Sequence, residues 1–140
     1  RSSMKALLVT AVVLTVAGSA FASAVNWKQD YDKALADAKQ NKKLLVVDVY
    51  TDWCGWCKKL DKDVYTDKRV QELIAKDFIP VKINPEHGSR NKQLAEKFGV
   101  RAYPHIVFLD GDGKKIGEIS GYVPADEFAK RLEHAVSKSK

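Results

Sequence analysis

The run Leu44-Leu45-Val46-Val47-Asp48-Val49-Tyr50, followed after Thr51-Asp52 by Trp53-Cys54-Gly55-Trp56-Cys57-Lys58, decides the fold. The first part is almost continuously apolar and rich in β-branched residues, the pattern of a central strand buried on both faces. Its single carboxylate, Asp48, is out of place there. The second part runs into Lys59-Leu60-Asp61-Lys62, where helix-forming residues resume. The cysteines therefore sit where a strand hands over to a helix.

That position suits redox chemistry. Two residues separated by two others lie on one helical turn, so their sulfurs can join or part with little backbone movement. The first sulfur faces the unpaired N–H groups of the helix start, which favour a thiolate and lower the expected pKa of Cys54. A bridge between Cys54 and Cys57 closes almost no loop, so it restrains the unfolded chain little and is a poor structural staple. A zinc site would need a second Cys or His pair at ligand spacing, and c-type haem attachment would need His where Lys58 stands.

Working outward, Trp27, Tyr31, Ala34, Leu35 and Ala38 recur at helical spacing and predict a helix from Trp27 to Lys39. Thr66 is the expected N-cap of a helix carrying Val70, Leu73 and Ile74, and Ile79, Val81 and Ile83 alternate as a strand in which Pro80 signals a sheet edge. Ser89 is the expected cap of the next helix, with Leu94, Ala95 and Phe98 on its apolar side and Gly99 just past its end. Ile106 to Leu109 reads as a strand, Asp110-Gly111-Asp112-Gly113 as a hairpin turn, and Lys114 to Ser120 as the returning strand. Pro124 opens a last amphipathic helix with Phe128, Ala129, Leu132 and Ala135 on one stripe. The alternation predicts an α/β fold with a mixed central β-sheet and helices on both faces.

The 140 residues suffice for one domain. The net charge of +6 is spread among many carboxylates, with no dense basic run interleaved with aromatics, so no nucleic-acid partner is expected. Met4-Lys5, the apolar run Ala6 to Ala17 and the sequences Ala20-Phe21-Ala22 and Ala22-Ser23-Ala24 spell a secretory signal peptide over residues 4–24, cleaved near Ala22 or Ala24; an uncleaved membrane anchor is the competing reading. Arg1-Ser2-Ser3 read as a cloning remnant. Export places the cysteines where disulfides persist, and the expected location is periplasmic or otherwise exported.

These stretches resemble the thioredoxin family. Trp53 to Lys58 matches Trp-Cys-Gly-x-Cys-Lys, Asp48 lies six residues before the first cysteine, and Tyr103-Pro104 precedes a β run as the family's cis-proline does. The resemblance spans Trp27 to Val136, and Thr66 to Ile83 is most similar to the thioredoxin-like domains of bacterial periplasmic disulfide reductases. It implies a thioredoxin fold over residues 25–140 and a catalytic set of Cys54, Cys57, the buried proton-exchanging Asp48 and a tuning Lys82. It also implies a substrate-binding set of Trp53, Gly55, Trp56, Tyr103 and Pro104. No cofactor and no metal are implied. The implied activity is that of a monomeric protein-disulfide reductase acting on disulfide-containing exported proteins and fed by a membrane thiol-disulfide electron donor. Two positions depart from the family. Trp56 stands where proline or histidine is common, and Tyr103 where a smaller residue precedes the cis-proline; both bear on redox direction and substrate choice. An oxidase or isomerase of the same fold is the enzymatic alternative. A Cu(I) chaperone using the cysteine pair is the alternative of another class, although the sole methionine is Met4. His105 lies beside the Tyr103-Pro104 region, within reach of the thiols or a metal, but a lone histidine entering a strand reads as a packed or surface residue; His87 and His134 have no partners by spacing.

Overall fold

The computed structural model describes residues 23–140; the expected leader, apart from Ser23 and Ala24, and the expected remnant lie outside them. The elements are α1 (Tyr31–Asn41), β1 (Leu44–Val49), α2 (Gly55–Asp63), α3 (Lys68–Asp77), β2 (Phe78–Ile83), α4 (Ser89–Lys97), β3 (His105–Leu109), β4 (Lys115–Ser120) and α5 (Ala125–Lys138). The sheet order is β2-β1-β3-β4. β1 runs parallel to β2 and antiparallel to β3, which pairs antiparallel with β4. The alternation and the hairpin expected from sequence are both present, and Pro80 does lie on an edge strand.

Every residue of β1 is buried, because both faces of the sheet are covered. Leu44 and Val46 face a core completed by Leu60 of α2, Val70 and Ile74 of α3, and Phe128 and Leu132 of α5. Leu45, Val47 and Val49 face the other core, under Ala34 and Ala38 of α1 and Leu94 of α4. Side chains alternate along a strand, so Asp48 shares the face of Leu44 and Val46. A carboxylate thus points into the apolar layer beneath α2.

The starts of α1, α3 and α4 differ from the sequence expectation, the first two because a neighbouring aspartate caps the helix. α1 begins at Tyr31, capped by Asp30, whose carboxylate accepts the Lys33 N–H at 3.0 Å. Trp27 and Lys28 therefore precede the helix: the Lys28 N–H donates to the Pro80 carbonyl and its carbonyl accepts the Lys82 N–H, both at 2.8 Å, covering the outer edge of β2. Asp67, not Thr66, caps α3 by accepting the Val70 N–H at 3.1 Å, while the Thr66 hydroxyl turns back to the Lys62 carbonyl. Ser89 is the first residue of α4, after Gly88 at φ 100°, and makes no side-chain cap. Gly99 ends that helix at φ 70°, the left-handed conformation that favours glycine.

Candidate active site

β1 ends at Val49, and a short turn delivers Cys54 to the N-cap position of α2. Its backbone is extended (φ −81°, ψ 108°), and its Sγ accepts the Cys57 N–H at 3.1 Å. Cys54 and Cys57 are joined as a disulfide with Cα atoms 5.3 Å apart. Cys54 is 5% exposed and Cys57 2%, so the pair is sunk below the surface and the first sulfur is nearer to it. The helix start that aims its N–H at Cys54 would stabilise a thiolate there in the reduced protein.

Around the disulfide the chain displays aromatic side chains. Trp53 and Trp56 are 67% and 58% exposed, the large apolar residues that stand out at the surface among those described. Trp53 packs edge-on to Tyr103 at 5.8 Å, and Trp56 lies tilted over Tyr122 at 5.4 Å. The Tyr103–Pro104 peptide is cis. The Pro104 carbonyl accepts the Gly121 N–H at 2.8 Å, and ladder pairing of β3 starts only at His105, so Tyr103 lies outside the sheet beside the motif. At Gly55 an added Cβ would meet nothing within 4 Å, so the turn between the cysteines is open on that side.

Below, Asp48 is buried and its Oδ2 accepts the Tyr65 hydroxyl at 2.9 Å. Lys82 of β2, which is in register with Asp48, brings its Nζ to 3.6 Å of the same oxygen and to 2.6 Å of Asp61 Oδ1. The ammonium also lies over the rings of Tyr50, Trp27 and Tyr65, at 4.7, 5.4 and 5.7 Å. Burial pushes the Asp48 carboxyl up to about 6, against the opposing pull of the Lys82 charge and the Tyr65 hydroxyl. An acid in that range takes and gives protons at neutral pH.

The sequence-derived site residues fall into two layers: Cys54, Gly55, Cys57, Trp53, Trp56, Tyr103 and Pro104 at the surface, and Asp48 with Lys82 beneath. Sequence reasoning missed their neighbours. Tyr65 and Asp61 have no motif, and only the turn after α2 and the i+4 spacing from Cys57 put them near Asp48. The β2–α4 loop was also missed. His87, without a partner by spacing, brings Nε2 to 3.2 Å of Asp52, and Glu86 accepts the Trp53 indole N–H at 2.7 Å. His105 is buried, with Nε2 2.9 Å from Glu118. Among the described residues no group of three or more His, Cys, Asp or Glu gathers at metal-binding distance, and no helix is long and apolar enough to cross a membrane.

A family model described as a thioredoxin-like domain matches residues 31–136. The thiol:disulfide interchange protein DsbD of Photorhabdus laumondii is 33% identical over 112 residues, taking in 78% of this chain and 19% of DsbD. The chain thus spans about a fifth of the length of that relative. A thioredoxin from Thermus thermophilus superposes with a TM-score of 0.74 at 24% identity, covering 83% of this chain and 90% of that one. The oxidised C-terminal domain of Neisseria meningitidis DsbD does so with a TM-score of 0.66 at 22% identity, covering 78% and 98%. The sequence match runs from α1 almost to the end of α5, and the chain belongs to the thioredoxin-like domain family.

Proposed function

We propose that this chain, a thiol-disulfide oxidoreductase of thioredoxin fold, works in the reducing direction on disulfides of exported proteins. The observation that carries the exchange chemistry is the placement of Cys54 as the N-cap of α2, with Cys57 bonded to it one turn deeper, while Gly55 after Cys54 and the similarity of Thr66 to Ile83 to reductase domains favour the reducing direction. In the reduced protein the Cys54 thiolate attacks one sulfur of a substrate disulfide; a new S–S bond forms and the other substrate sulfur leaves as a thiolate. Cys57 then loses its proton to Asp48 and attacks Cys54. The Cys54–Cys57 bond forms, and the second substrate sulfur leaves and is protonated. Two electrons have passed from the dithiol to the substrate. A thiol-disulfide donor at the membrane restores the dithiol by the same exchange, and Lys82 holds the charge of Asp48 between turnovers.

Trp53, Trp56 and the unpaired backbone of Tyr103 hold the partner as an extended segment. The leader-like residues 4–24 support export, and the DsbD relative, named for thiol:disulfide interchange, supports the chemistry. Equilibrating the protein in thiol buffers of graded poise tests the direction. A potential near about −270 mV, the range of thioredoxin, supports a reductase, and one near about −120 mV replaces it with an oxidase.

A further inference from the structure

Tyr65 lies just past the end of α2, two residues before the cap of α3. Its ring is wedged between Trp27, at 4.7 Å and an interplanar angle of 60°, and Phe128, at 5.5 Å and 88°. The hydroxyl cannot swing away from Asp48 without breaking both aromatic contacts. Trp27 is held in turn by the backbone bonds that fasten Lys28 to the edge of β2. One wall of this cluster thus comes from the segment before α1, outside the stretch that the family model matches.

The two carboxylate oxygens of Asp48 are not equivalent. Oδ2 accepts the Tyr65 hydroxyl and faces the Lys82 ammonium. Oδ1 is buried and has no hydrogen-bond partner among the described residues. A buried acceptor left bare costs free energy, and such an exception calls for an explanation. A proton placed on Oδ2 would lie against an ammonium and displace the phenol, whereas Oδ1 is unencumbered. Tyr65 does not itself supply the proton. Burial and the neighbouring Asp48 charge hold its phenol well above the ordinary range, so it donates a hydrogen bond without transferring its hydrogen.

We propose that Tyr65 is a positioning residue for the exchange reaction: its hydroxyl, seated by Trp27 and Phe128, pins Oδ2 of Asp48 and leaves Oδ1 as the oxygen that exchanges a proton with Cys57. The inference rests on the reading of Asp48 as the acid that serves Cys57. The other charged groups acting on Asp48 are Lys82 from β2 and Asp61 from α2. Lys82 faces the same oxygen as Tyr65 and steers the proton to Oδ1 in the same sense, but from 3.6 Å against the 2.9 Å of the phenol, while Asp61 is a like charge that acts on Asp48 without bonding to it.

The test uses the full chain with carbon-13 in the aspartate carboxyls and the tyrosine ring. In the oxidised protein no thiol is coupled to Asp48, so its carboxyl resonance followed from about pH 4 to pH 9 reports that acid alone. Tyr65→Phe keeps the ring and removes the donor to the charged form, and is expected to raise the Asp48 midpoint by about one pH unit. The pH profile for release of a small thiol from its mixed disulfide with Cys54 should move the same way. In the unsubstituted protein the Tyr65 Cζ resonance should inflect at the Asp48 midpoint, a readout that does not depend on the variant folding. An unmoved midpoint in Tyr65→Phe, or a Tyr65 resonance indifferent to Asp48, overturns the proposal. Asp48→Asn separates the two possible failures. If its release profile matches the unsubstituted protein, the reading of Asp48 is wrong and the inference falls with it. If Asp48→Asn flattens the profile while Tyr65→Phe leaves both profile and midpoint in place, Tyr65 alone is excluded.

Discussion

The Trp53 indole N–H donates to Glu86 Oε1 at 2.7 Å, tying the residue before the first cysteine to the loop that follows β2. The neighbouring pair repeats the connection, with His87 against Asp52. Both contacts are exposed, so they add little to global stability. What they fix is the direction of the Trp53 indole, which under the proposed function faces an incoming partner. Glu86→Ala is expected to leave the urea midpoint almost unchanged, within about 0.5 kcal/mol of stability. Its rate of reducing a peptide disulfide should fall by about two- to fivefold, the loss of one positioning hydrogen bond. An unaltered rate would show that Trp53 holds its place through Tyr103 alone.

The proposed mechanism gives the two cysteines unequal tasks. Reduced Cys57→Ser protein mixed with a substrate disulfide should accumulate a mixed disulfide through Cys54, because the resolving sulfur is missing. Cys54→Ser should accumulate far less, since Cys57 is the deeper of the two. Mass spectrometry of the alkylated mixture reads both. Equal trapping by the two variants would remove the assignment of Cys54 as the attacking group.

Asp48 costs stability in its charged form. Its folded carboxyl, at about 6, lies above the value of 3.8 expected for the unfolded chain. Between these values the folded state keeps a proton that the unfolded state has released, so stability falls as pH rises through that window and levels off above it. Asp48→Asn, whose amide oxygen can still accept the Tyr65 hydroxyl, removes that cost. The variant should be more stable than the parent above pH 6 by up to about 3 kcal/mol, with the difference closing below pH 4. Denaturant melts at several pH values check this; a gap that does not depend on pH would mean that Asp48 is not the group that titrates.

Trp56 is a surface residue, and the proposed function gives it a binding task. Trp56→Ala should leave stability within about 0.5 kcal/mol, since the ring is mostly in solvent. It should raise the KM for a protein disulfide about tenfold with kcat nearly retained, the size of a single aromatic contact. A fall in kcat alone would instead make Trp56 a determinant of the disulfide's own chemistry.

The buried strand β1, the hairpin at Asp110 to Gly113 and the turn that presents Cys54 were legible in the sequence because each has a local cause: a β-branched run, two glycines among aspartates, a strand meeting a helix. Asp48 was legible as an anomaly, a carboxylate inside an apolar run. Its surroundings were not. Tyr65 reaches Asp48 across 17 positions, and Lys82 sits opposite it only once β2 has paired in register with β1. The helix starts slipped for a related reason. Asp30, Asp67 and Gly88 win the cap positions over Trp27, which periodicity assigns to the helix, and over Thr66 and Ser89, which residue type assigns to the caps, because an N-cap depends on backbone angles that composition does not encode. His87 and Glu86 escaped notice because a loop's approach to a distant turn leaves no periodic trace.

The bonds from Lys28 to β2 and the edge-on contact of Trp27 with Tyr65 have a practical meaning for anyone choosing where to start a shortened protein. A chain trimmed to residues 31–136 would satisfy the family's definition, retaining four strands and both sulfurs. It would also strip β2 of its outer neighbour, exposing the Pro80 carbonyl and the Lys82 amide, and take away one side of the box around the Lys82 ammonium. Water would enter where the tryptophan had been. Such a fragment would answer questions about the architecture and mislead about the acid, because the contacts that enclose the acid's neighbours begin a few residues before the stretch the family model matches.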